Sequence, residues 1–341
     1  MDNLTDHIKI NDLTLKIVQK IMERKEYYKA EVIEYDNGAT VLDMTNASWR
    51  GGKLVSEICL GGLGTVDFTS YNLDGHFLPS VNVYTSHPLI SCMASQLAGW
   101  SVKLKKEIEK DGVMKKKKVF ESLGSGPARA KSKVEKLFDE LDYSDDSDCA
   151  VIVFETAELP NEEVMTLVSE KCGVEPDKTY AVCAPTACLT GSIQVAARIV
   201  ETGIHKLHEI KFPLGVIKDG FGTATIAPIA KDDLGAMGRT NDSISAAGMT
   251  YYTIEVEKEK QDEIFDLLKK APANTSSSYG RPFIETFKAA NYDFYAIDPG
   301  LFAPAVYTVT NVKTGKSVTV GEINHTLLKE SYKLKDRKSV V

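Results

Sequence analysis

Residues 180–210 read YAVCAPTACLTGSIQVAARIVETGIHKLHEI, and this stretch decides the fold class. The apolar run Tyr180 to Cys183 has the length of a buried strand, and Ala184-Pro185-Thr186 breaks it. From Gly191 to Ile210 the spacing turns helical. At about 100° per residue, Ile193, Ala196, Ala197, Val200, Ile204 and Leu207 share one face. Gln194, Arg198, Glu201, His205 and His208 form an adjacent stripe. A buried strand feeding an amphipathic helix is the repeating element of an α/β fold.

The same alternation continues on both sides. Upstream, Asn11 to Tyr28 reads as an amphipathic helix. Val32 to Leu42 reads as a hairpin turning at Asp36-Asn37-Gly38. Glycines punctuate Leu60 to Gly64, Phe77 to Tyr84 is strand-like, and Pro88 to Trp100 is a helix candidate. Gly124-Ser-Gly-Pro127 opens a helix expected to run to about Leu141. Ala150 to Phe154 is a buried strand, and Asn161 caps a helix with Glu162 and Glu163 in its first turn. Downstream lie the glycine segments 220–222 and 238–242, a strand at 250–256 and a helix at 261–270. A Ser-rich loop at 274–278, a helix at 282–289 and a hairpin at 305–320 turning near Gly315 complete the pattern. No internal repeat is visible.

Val102 to Lys118 departs from this pattern. It holds eight lysines and three acids, four of the lysines consecutive at Lys115 to Lys118, and reads as an exposed, mobile loop or a hairpin.

The chain has 341 residues, room for two domains, and is 43% hydrophobic and 26% charged, an ordinary globular mixture. A net charge of −7 argues against nucleic acid as a main partner. Six cysteines in this length do not form a disulfide framework. The polar start Met1-Asp2-Asn3 does not read as a signal peptide, and no apolar run is long enough to span a membrane. These features lead to the expectation of a cytoplasmic enzyme without membrane partners.

Four groups of residues could carry chemistry. Arg198 and Glu201, three apart on one helix, are either an exposed ion pair of small energetic weight or a carboxylate oriented by a guanidinium. His205 and His208 could share a metal, but no third ligand stands at zinc spacing, and Cys183 with Cys188 is not a CxxC pair. Gly124-Ser125-Gly126-Pro127-Ala128-Arg129 is either a plain helix cap or an anion site built from backbone N–H groups, with Arg129 adding a fork. It is neither a phosphate-binding P-loop nor a dinucleotide fingerprint. His87 precedes Pro88 and could face a cleft, although a lone histidine is more often structural. No nucleophile elbow occurs.

Taken in order, six segments resemble one family. They are Gly124 to Ala130, Glu155 to Pro160, Ala184 to Ala187 with Gly191 to Gln194, Ala197 to Gly203, Gly238 to Asp242, and Ile297 to Pro304. Together they are similar to the methenyltetrahydromethanopterin cyclohydrolases over almost the whole chain. Relative to that family, 102–118 looks like an insertion of about a dozen residues, longer than a usual connection.

The resemblance implies two mixed α/β domains with a large substrate pocket between them. We expect the division at 1–125 and 126–341, with C-terminal strands free to return to the first domain. It implies hydrolysis of the cyclic amidinium of a reduced pterin to the N5-formyl form, reversibly, in one-carbon metabolism or methanogenesis. It further implies a homotrimer with no metal or prosthetic group. Arg198 and Glu201 match the catalytic pair of the family: Glu201 positions and deprotonates water, and Arg198 keeps it ionised and oriented. Glu155 matches a pocket carboxylate. Gly124, Ser125, Gly126 and Arg129 are expected to meet the anionic tail of the substrate, with His87 as a further contact. The alternatives are a non-catalytic carrier of phosphorylated pterins, for which a positioned base is unnecessary, and a cyclohydrolase for a tetrahydrofolate analogue.

Overall fold

The alternating pattern assembles into two six-stranded mixed sheets in a computed structural model that describes residues 8–110, 113–293 and 296–335. The α/β class expected from the sequence is therefore observed. The chain divides into two compact units, each made of two stretches: 1–63 with 94–185, and 64–93 with 186–341.

The first unit contains helices α1 (Ile10–Glu23), α2 (Lys25–Tyr28), α3 (Trp49–Cys59), α4 (Ala128–Ser132) and α5 (Glu162–Cys172). Its strands are β1 (Glu31–Glu34), β2 (Thr40–Asp43), β5 (Trp100–Lys110), β6 (Val113–Ser125), β7 (Ala150–Glu155) and β8 (Thr179–Ala184), in the order β1-β2-β8-β7-β6-β5. The three central strands β2, β8 and β7 run parallel. That explains why Ala150 to Phe154 is apolar without alternation, since parallel strands are covered on both faces. Val41, Ile152, Phe154, Ala181 and Cys183 pack with Val164, Met165 and Val168 of α5. Full burial of each larger aliphatic or aromatic side chain contributes about 1.5–3 kcal/mol. Asn161 caps α5 as expected, its side chain accepting from the Val164 N–H, a contact worth about 1 kcal/mol.

The lysine-rich segment is a hairpin, β5 against β6. Val102 and Phe120 bury its base. Further out, Lys105 faces Lys118 and Lys106 faces Lys117, a like-charge ladder that opposes pairing. Lys103–Glu121 at 2.7 Å and Lys106–Glu163 at 2.6 Å offset part of the repulsion. Residues 111 and 112 of this segment, like Met1 to Asn3, lie outside the described residues.

The second unit contains β3 (Gly64–Leu73), β4 (His76–Thr85), β9 (Ile217–Thr225), β10 (Met249–Ile254), β11 (Val306–Asn311) and β12 (Ser317–Gly321), in the order β12-β11-β10-β9-β4-β3. Its helices are α6 (Leu189–Ala196), α7 (Ile199–Glu209), α8 (Asp233–Ala247), α9 (Lys258–Leu267), α10 (Phe283–Ala289) and α11 (His325–Tyr332). Among the described residues of this unit, β10 and β11 alone pair in parallel. Helix α7 sits directly on β9. A Cβ at Gly220 would lie 2.6 Å from Val200 Cγ1, and one at Gly222 would lie 2.9 Å from Ile199 Cγ2. The glycine segment 220–222 is therefore a seat for the helix. On the sheet Tyr84, Phe221 and Tyr251 stand side by side in register, and all three are exposed.

Four expected helices differ from the structure; the one expected over 11–28 breaks at Arg24 into α1 and α2. The helix expected over 191–210 is two, because the Arg198 N–H bonds to the Val195 carbonyl at 3.0 Å, a three-residue turn that tightens the ladder before it resumes. The helix expected to reach Leu141 stops at Ser132, where Lys133 adopts a left-handed backbone with φ 47°, as a C-cap glycine would. Pro88 to Trp100 is helical only to Gln96, as a π-helix over Leu89–Gln96, and Trp100 already pairs with Gly124 in the sheet. Among the described residues no helix is long and apolar enough to cross a membrane.

Candidate active site

The junction of α6 and α7 brings two charged side chains together inside the second unit. Arg198 Nη1 lies 3.9 Å from Glu201 Oε2, and the two side chains are only 11% and 7% exposed. That degree of burial separates this pair from ordinary helical surface pairs, which are screened and weak. Gln194, one turn before Arg198, is buried, and its Oε1 accepts from Arg198 Nε at 3.1 Å. The fork of Arg198 is thereby held from one side while it addresses Glu201 on the other. Glu201 also lies in the first turn of α7, where the helix dipole favours negative charge.

The pair faces a cavity of about 180 Å³. One wall is α7 with Thr202 and His205; another is α8 with Asn241, Ile244 and Ser245; the third is Leu301-Phe302-Ala303. That third wall is fixed by Asp298, which accepts from Ser276, Ser277 and Gly300. Partial burial pushes the Asp298 carboxyl upward, but these hydrogen bonds outweigh it and hold it down to about 2. The segments 238–242 and 297–304 thus supply cavity walls. The residues these segments turn toward the cavity, Asn241 and Leu301 to Ala303, are of types that do not announce chemistry in a sequence.

Two buried neighbours of Glu201 add no charge of their own. Burial first, and the Glu201 charge after it, push the Cys92 thiol far up, so it stays protonated. Tyr252 is likewise held protonated by burial and donates to the Val200 carbonyl at 2.8 Å, fixing the first turn of α7. Below, Asp242 of α8 accepts from the Phe283 N–H with both oxygens and anchors α10. Burial pushes its carboxyl up to about 7. All six cysteines are unpaired and buried. His205 lies 3.9 Å from Glu209, and among the described residues no three His, Cys, Asp or Glu side chains converge.

The other expected site residues are not among those lining this cavity. Glu155 ends β7 and is exposed at the carboxyl edge of the parallel strands, the edge at which open α/β sheets bind ligands. Gly124 pairs with Phe154 and Ser125 with Val153, so this loop and Glu155 are neighbours in the first unit. The loop is buried and its donors are engaged: the Gly126 N–H bonds to Ser95 and the Ser125 hydroxyl to Gln96. Arg129 has no exposed surface. Its Nε and Nη2 fork onto Glu135 at 2.7 and 2.6 Å, and Nη1 donates to the Ser95 carbonyl at 3.1 Å. The fork expected to grip a ligand anion is occupied by a carboxylate of the chain itself, which places Arg129 beneath the loop as a brace. His87 is exposed on the loop after β4, its N–H bonded to Thr85 Oγ1 at 3.1 Å.

Comparison with known proteins adds a further finding. The family model described as cyclohydrolase (MCH) matches residues 9–332. Proteins named methenyltetrahydromethanopterin cyclohydrolase are similar over nearly full length. That of Methanocaldococcus jannaschii is 44% identical over 331 residues, covering 95% of this chain and 98% of its own. That of Methanococcoides burtonii is 40% identical over 333 residues, covering 96% and 99%.

Proposed function

The chain belongs to the MCH cyclohydrolase family, and from that premise we propose that it hydrolyses the cyclic amidinium of 5,10-methenyl-tetrahydromethanopterin to the N5-formyl compound, reversibly. The observation that carries this reading is the buried Arg198–Glu201 pair facing a cavity. Water attacks the methenyl carbon and forms the new C–O bond while Glu201 takes one of its protons. The bond from that carbon to N10 then breaks, and its electron pair stays on N10. Glu201 returns a proton to N10, and the second water proton leaves as the formyl C=O forms. Arg198, held by Gln194, keeps the carboxylate ionised and aimed. The proposed chemistry uses these side chains and water.

Glu155 is the second carboxylate of the proposal, an exposed group at the ligand edge of its sheet. Gly124, Ser125 and Gly126 shape the adjoining wall, and His87 is a candidate contact from its own loop. We further propose that the protein is a homotrimer. The exposed row Tyr84, Phe221 and Tyr251 supplies apolar surface of the kind subunit contacts cover. Sedimentation at micromolar concentration should give a trimer that Tyr251→Glu weakens; a wild-type monomer would end that part of the proposal.

The reaction is tested by following methenyl-tetrahydromethanopterin absorbance on adding enzyme, with methenyl-tetrahydrofolate as control. Loss of signal with the first compound alone is expected. No loss with either would leave a binding protein, and loss with both a broader cyclohydrolase.

A further inference from the structure

The N-terminal half of α8 borders a second cavity, of about 350 Å³, whereas its C-terminal half borders the first. Arg239 lines it, whereas Asn241, Ile244 and Ser245 line the first. Two residues of separation rotate about 200° around a helix, so Arg239 and Asn241 point away from each other, and Leu234 and Gly235 in the first turn of α8 complete its share of the second lining. Lys231 before α8, Lys288 on α10 and Lys333 at the end of α11 join Arg239 in the lining.

One carboxylate, Asp232, accompanies these four cations, and its Oδ1 accepts from the Gly235 N–H as the cap of α8. Elsewhere lysines such as Lys106, Lys313 and Lys316 are ion-paired. Among the described residues none of the four cavity cations is. Arg239 Nη1 donates to the carbonyls of Pro228 at 3.0 Å and Ile229 at 3.1 Å, which fixes the guanidinium and leaves its other N–H groups for a ligand. Four unneutralised cations around one space repel each other, and a multivalent anion relieves that repulsion. A planar fork together with three ammonium groups suits the several oxygens of a phosphate better than the two of a carboxylate. A water occupies about 30 Å³ of liquid, so the cavity exceeds a bare phosphate and has room for the group that bears it.

We propose that this cavity is a binding site for a phosphate ester, distinct from the cavity that Arg198 and Glu201 line. The ligand is either a free phosphorylated metabolite or the phosphate on the tail of a larger ligand, the substrate included. Phosphate binding here does not depend on the proposed reaction; only the assignment to the substrate tail rests on it.

Calorimetric titration of the full chain with inorganic phosphate, at ionic strength held constant with KCl, should give saturable binding. The double charge reversal Lys231→Glu with Lys288→Glu should weaken it by about tenfold or more, as loss of charged hydrogen bonds implies. The charge-matched control Lys269→Glu with Lys316→Glu, outside the cavity, should retain it. Turnover then identifies the source. A raised KM in the Lys231/Lys288 variant, with phosphate competing in the wild type, identifies the substrate tail. An unchanged KM identifies a free ligand. The proposal is overturned by absent saturable binding, or by equal loss in the control.

Discussion

Arg198 and Glu201 meet at 3.9 Å with both side chains almost withdrawn from solvent, on either side of the junction where α6 gives way to α7. A buried charge pair of this kind is costly unless its remaining polar atoms are satisfied. Gln194 satisfies part of Arg198, and the pair lines the cavity.

Glu201→Gln should keep the fold and lose on the order of 10²–10⁴ in kcat, the usual contribution of a positioned acid or base. Absorbance kinetics measure the loss, and circular dichroism checks the fold. Near-wild-type turnover would remove Glu201 from the chemistry.

Gln194→Leu should lower kcat by about tenfold with little change in KM, since it touches the orientation of Arg198 and not the bound ring. Gln194→Glu, which keeps an acceptor for Arg198 Nε, should recover more activity than leucine. If both variants behave alike, the hydrogen bond is not what matters.

Arg129→Ala should appear in stability before it appears in KM. It strands the Glu135 carboxylate and opens space beside Phe138, over whose ring the guanidinium lies at 5.5 Å. Removing one partner of a buried ion pair costs about 3–5 kcal/mol. Denaturant titration of Arg129→Ala against the double variant Arg129→Met with Glu135→Leu should show the double losing less. Intact stability with a raised KM would return Arg129 to the ligand.

Asp242 predicts a pH signature. Its folded carboxyl is raised by burial to about 7, above its ordinary value of 3.8. The folded state therefore binds more protons than the unfolded state between those values, and stability from this group falls as pH rises across that window. Asp242→Asn should be stabilised relative to wild type above pH about 7 and lose that advantage near pH about 4. Melting temperatures of both proteins across pH 4–8 test this, and a constant difference would contradict it.

Local patterns were legible in the sequence, and long-range pairing was not. The hairpin at Asp36-Asn37-Gly38, the Asn161 cap and the strand 150–154 follow from turn chemistry, capping and hydrophobic runs. That β2 lies beside β8, or β4 beside β9, depends on contacts far apart in sequence, which periodicity does not encode. The same limit applies at the site. The i, i+3 spacing of Arg198 and Glu201 announced their proximity. Their burial comes from α8 and from 301–303, which no helical wheel of 191–210 contains. Arg129 shows the converse error. Beside a glycine loop it reads as a ligand contact, but the left-handed turn at Lys133 brings Glu135 back onto it.

The β3–β4 hairpin belongs to the second unit although the chain on both sides of it belongs to the first. During synthesis from the N-terminus, every strand of the first sheet has emerged once β8 is made, whereas β4 waits for its partner β9. Until then the hairpin offers an open strand edge on the nascent chain, a hazard for pairing with a neighbouring copy. It also means that separating the units takes three scissions of the chain, so a split-protein reassembly along the unit boundary requires four fragments.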